Sequence, residues 1–194
     1  PSAVGYRLRV AARPMPAVAA FVRGSVIWIV FEQRHALDLS QLEARRREIG
    51  PVDASIMETP APATALRIAP PSRWEVAVAK DGETWVIEIG AKPALPARIV
   101  EPAIRANPDG SGGRVVVDMP GMQSLLRVRD PDASDELIVA PTSSVGYAVA
   151  SNRPFPDFRF IPAAQGIVVL PRSDRVQAKL NGNVLEVSGP QPII

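Results

Sequence analysis

The stretch "RDPDASDE", Arg129 to Glu136, places four carboxylates and a hydroxyl within eight residues. Asp130, Asp132 and Ser134 fall at the first, third and fifth positions of a calcium-loop pattern. Hard oxygen donors at alternate positions are what Ca²⁺ takes, so these three are the metal candidates. The pattern then breaks. Its sixth position is Asp135 where a sharp turn needs glycine, and its twelfth is Pro141 where a bidentate glutamate belongs. Asp, Pro and Ser are also the residues of an ordinary hairpin loop. The expectation is therefore a loop with no metal, and no cofactor elsewhere.

Acid–base and nucleophilic chemistry find little support. The sole histidine, His35, follows the apolar run around Trp28 and has no G-x-S-x-G elbow to serve. Zinc-protease, phosphate-loop and dinucleotide patterns are absent. "NPDGSGG", Asn107 to Gly113, is glycine-rich but leads into a strand, so it lacks the helix terminus that would hold an anion. No catalytic residue is expected. In "LDLSQLEARRREIG", Leu37 to Gly50, Ser40 and Glu43 have capping-box spacing and Gly50 supplies a stop, which predicts a short helix near 40–49. Its Arg45, Arg46 and Arg47 lie where the helix dipole favours cations, and they are the candidate interaction residues.

These candidates sit among short strands. Apolar strands around Trp28, Trp85, Leu137 and Leu185 recur with a period of roughly 50 residues. Each is the second arm of a hairpin, after turns at Arg23-Gly24, Asp81-Gly82, "DPDASD" and Asn181-Gly182. Another strand precedes each hairpin: "YRLRV", "ALRIA", "RVVVDM" and "FRFIP". Earlier still come "SIMET", "ARIVE" and "GYAVAS". The expectation is an all-β domain over 1–194. It would consist of four degenerate four-stranded repeats, roughly 1–50, 51–92, 93–141 and 142–194. Such units resemble the blades of a β-propeller, and a pair of β-sandwiches is the alternative. Trp28 and Trp85 are expected at equivalent packing positions.

Composition agrees with this pattern. Hydrophobic residues make up 46% of the 194, and 21 prolines punctuate the chain, which forbids long helices. Net charge is +2, with arginine far outnumbering Lys80, Lys92 and Lys179. That balance does not call for nucleic acid as a partner. The absence of cysteine excludes disulfides and thiolate chemistry. No apolar run is long enough for a membrane span. A start at Pro1 without methionine suggests a piece excised from a longer protein, with any signal peptide upstream.

"MPAVAAFVRGSVIWIVFEQRHALDLSQL" resembles the opening of β-rich regions in alphaproteobacterial cell-envelope proteins that often carry tetratricopeptide repeats. "AKDGETWVIEIG" and "FIPAAQGIVVLPRSD" resemble the same proteins. A fainter similarity is to AMIN domains, β-sandwich modules that localise envelope proteins on peptidoglycan. The resemblance implies a periplasmic or envelope-associated module that binds a protein or peptidoglycan without catalysis. The alternative is an enzyme or carbohydrate-binding propeller acting through carboxylates at a central opening.

Overall fold

The computed structural model describes residues 5–37, 39–40, 52–60, 62–90, 95–110 and 112–193. Among them the chain is all-β, arranged in several small sheets. Residues 41–50, with most of the expected helix and with Arg45, Arg46 and Arg47, lie outside the described residues.

The first sheet has the order β1 (Gly5–Ala11), β7 (Thr84–Gly90), β6 (Glu75–Asp81). The second runs β15 (Ala163–Gln165), β2 (Val18–Arg23), β3 (Val26–Phe31), β5 (Thr64–Ala69), β4 (Asp53–Met57). The third runs β11 (Leu126–Asp130), β12 (Asp135–Ala140), β16 (Ile167–Pro171), β14 (Phe158–Ile161). The fourth runs β17 (Gln177–Asn181), β18 (Val184–Ser188), β10 (Gly113–Asp118), β9 (Ala103–Ala106). A short parallel pair, β8 (Arg98–Ile99) with β13 (Tyr147–Ala148), holds the connection between the halves of the chain.

Side-chain alternation explains how the four sheets stack. Along β3, Ile27, Ile29 and Phe31 join an apolar layer shared with Tyr6, Trp85 and Ile87 of the first sheet. Trp28 and Val30 point the other way, into a layer shared with Val128, Leu137 and Val168 of the third sheet. The third sheet's opposite face, with Ile138, Phe158 and Val169, meets Val117, Leu185 and Val187 of the fourth. The central strands of the two inner sheets are thus buried on both faces and read as continuous apolar runs, "VIWIVF" and "IVVLP". The outer sheets are wet on one side. In β1, Tyr6 and Val10 are buried, while Arg7 and Arg9 point outward to Glu88 and Asp81 at 2.5 and 2.7 Å.

All four hairpins expected from the sequence are present, and so is the strand preceding each. Three use two-residue loops, Gly24-Ser25, Gly82-Glu83 and Gly182-Asn183, with the glycine at φ 62°, 57° and 60°. Glycine with positive φ at the first loop position marks the type II′ turn, whose twist suits a hairpin. Arg23, Asp81 and Asn181 close the strands instead of occupying the turn.

The pairings do not follow the expected repeats. β1 pairs with β7, β5 with β3, and β10 with β18, each crossing the repeat boundaries drawn above. Among the described residues, no sheet closes on itself to give a propeller-like ring. The tryptophans also differ in register. Trp28 stands two residues after Val26, which closes its hairpin, whereas Trp85 immediately follows Thr84. A one-residue step in a strand reverses the face. Trp28 therefore enters the middle layer and Trp85 the outer one. β9, β15 and β16 have no counterpart in the sequence reading.

Trp85 is fully buried, and its indole Nε1 donates to the Pro16 carbonyl at 2.8 Å. Truncating such a side chain costs about 3–5 kcal/mol. In a protein of this size each kcal/mol moves the midpoint by roughly 2–4 °C. Trp85→Ala is expected to lower the melting temperature by on the order of 10 °C. Trp85→Phe, which keeps most of the apolar area, should lower it much less. An unchanged melt for the alanine variant would show that Trp85 does not hold the outer layer together.

Candidate functional site

The loop that suggested a metal joins β11 to β12. Asp130 ends one strand and faces Asp135, which starts the next, across Pro131, Asp132, Ala133 and Ser134. The Asp132 amide donates to Asp130 Oδ1 at 3.0 Å, an Asx turn that folds the loop on itself. Ser134 takes φ 56°, the left-handed conformation that closes the loop.

The carboxylates of this loop face arginines. Arg23, the last residue of β2, reaches across from the second sheet. Its Nη1 donates to Asp130 Oδ2 at 2.6 Å and to Asp135 Oδ1 at 2.6 Å, and its Nη2 donates to Asp135 Oδ2 at 2.5 Å. Arg67 of β5 pairs with Asp132. Asp130 is 5% exposed and the Arg23 side chain 16%. A cation bound here would sit against two guanidinium groups and would have to displace them. Among the described residues, no group of three or more acidic or histidine side chains is arranged to hold a metal ion.

The arrangement ties two sheets together. A fork-on-carboxylate contact supplies charge and direction together, and it bridges two sheets that share the middle apolar layer. Removing Arg23 strands the Asp130 carboxylate, and losing the partner of a buried charge costs up to about 3–5 kcal/mol, while the third-exposed Asp135 loses less. Hydrogen bonding from Arg23 holds the Asp135 carboxyl below its ordinary range, against the opposing effect of burial, and the same contact raises Arg23.

The other candidates are dispersed. His35 lies just beyond β3, with its amide donating to Thr64 Oγ1 at 2.7 Å and its ring set edge-on to Phe31. Between β9 and β10, where the glycine-rich stretch lies, the Asn107 amide donates to the Gly112 carbonyl at 2.7 Å. The structure does not bring His35 together with the acidic loop.

Two features escaped the sequence. The first is a buried polar hub at the opposite end of the middle layer. The Gln165 side chain donates to the carbonyls of Thr142 and Ser144 and accepts from the Gly146 amide. Nearby, Val18 and Thr142 exchange backbone hydrogen bonds at 3.1 Å. The second is a crevice beside β11, lined by Arg127, Arg129, Glu136, Arg172, Ser173 and Asp174, with a volume near 500 Å³. A sequence signal existed for the clamp alone: Arg23, Asp130 and Asp135 all stand at hairpin mouths, where side chains can reach a neighbouring sheet.

Comparison with protein-family models, curated proteins and solved structures finds no match to this chain.

Because the folded-state pKa of Asp135 is depressed, its contribution to stability is complete above the unfolded value of about 3.9. It is lost as pH falls through the folded value. Denaturation midpoints measured from pH 5 down to pH 2 should therefore fall steeply for the native sequence and less steeply for Asp135→Asn. Parallel curves would show that the clamp carries no acid sensitivity.

Proposed function

We propose that this chain is a non-catalytic interaction module of a bacterial envelope protein that attaches to a protein partner or to peptidoglycan. Its fold is best read as two sandwich-like halves joined face to face. The stacking of sheets across three apolar layers supports that reading of the fold. The observation that carries the functional reading lies at the sheet edges. β4 and β9 are outermost strands, and each keeps an apolar side chain in solvent, Ile56 at 46% and Ile104 at 37% exposure. Open edges with apolar side chains are templates for strand addition, which proteins otherwise protect with charge or proline. The buried polar groups of the clamp and the hub are meanwhile engaged in holding the sheets.

Immobilised module should capture a protein from a bacterial envelope fraction or bind insoluble peptidoglycan. Ile56→Lys combined with Ile104→Lys should abolish capture while leaving the melt unchanged. Retention from neither source, or turnover of polysaccharide or ester substrates by the purified module, would contradict the proposal.

A further inference from the structure

β11 is the edge strand of the third sheet. Among the described residues, its backbone pairs with β12 on one side only. Leu126, Val128 and Asp130 are buried, while Arg127 and Arg129 point outward on the opposite face into the crevice walled by Arg172, Ser173 and Asp174. The fourth sheet does not cover this face, so arginines stand where apolar residues would otherwise pack.

The charges around this edge are unevenly matched. Glu136 holds Arg127 at 2.5 Å, and Asp135 is taken by Arg23. Arg129 and Arg172 are exposed and make no ion pair among the described residues, leaving Asp174 as the carboxylate not already engaged. The edge strand β1 shows the contrast: its Arg7 and Arg9 are answered by Glu88 and Asp81. Residues two apart on a strand lie about 7 Å apart on one face. Arg129 can therefore meet one carboxylate of an added strand directly, Arg127 a second at the alternate position by exchanging its Glu136 partner, and Arg172 flanks them.

From this geometry we infer that the β11 edge and its crevice form a docking strip for an extended acidic peptide segment. The segment adds to β11 through its backbone and places alternate Asp or Glu side chains against Arg127, Arg129 and Arg172. This site is separate from the apolar edges at Ile56 and Ile104, and it stands whether or not the module belongs to an envelope protein.

The test uses the whole chain and a fluorescent nonapeptide, Ser-Val-Glu-Val-Glu-Val-Glu-Val-Ser. Anisotropy should rise saturably with the Glu peptide and weaken as salt is added, because exposed charges are screened. The same peptide with Lys for Glu should not bind. Arg129→Glu with Arg172→Glu should weaken binding at least about tenfold, an affinity step worth 1.4 kcal/mol. These exposed positions should leave the melt unchanged. A version with proline in place of the two valines that flank the central glutamate should also lose affinity if the backbone adds as a strand. Equal binding of the Lys peptide, indifference to the charge reversal, or indifference to proline would overturn the proposal. Tighter binding of inorganic polyphosphate than of the Glu peptide would overturn it too, in favour of a general polyanion surface.

Discussion

The structure depends on Arg23 being held between Asp130 and Asp135. The residues facing each other in the middle layer, Phe21, Trp28 and Val30 against Val128, Leu137 and Val168, are apolar. Apolar burial has magnitude but little direction. A directional contact is needed to fix how one sheet sits on the other, and a guanidinium fork shared by two carboxylates provides it. The Gln165 hub and the Val18–Thr142 backbone pair do the same at the far end. Close approach matters there as well. Gly166, at φ 79°, has no room for a Cβ, which would lie 2.8 Å from the Ala140 carbonyl oxygen and 3.0 Å from Ala19 Cβ.

The strands were legible because their physics is local. Alternation in "YRLRV" and glycine at a hairpin mouth depend on a few neighbouring residues. Pairing is not local. β5 serves as well beside β3 as beside β6, and nothing within "TALRIA" distinguishes the two. The inner strands hid their partners further, since burial on both faces removes the alternation that sets register. The likeness of Trp28 and Trp85 misled for this reason. Both follow a glycine turn, but one residue of offset sends them into different layers.

The candidate site was legible in composition and not in purpose. Asp130, Asp132 and Ser134 have the spacing of a calcium loop, and what turns them to another use is Arg23, more than a hundred residues earlier in the chain. Arg67 does the same for Asp132. Acidic side chains beside a turn bind a cation of either kind, metal or guanidinium. Which of the two they meet is decided by tertiary placement. The arginine-rich composition of the chain thus has a structural use at these positions.

The central claim is that the clamped middle layer joins the two outer pairs of sheets into one cooperative unit. Native-state hydrogen exchange tests it directly, by following amides of β7 in the first sheet and β18 in the fourth. Contiguous units that open together share one free energy of protection. Arg23→Gln should reduce the protection of β7 and β18 by the same amount, although neither strand touches the substitution. Loss confined to one of them, or to β2 and β11 alone, would contradict the account and leave the halves as independent units.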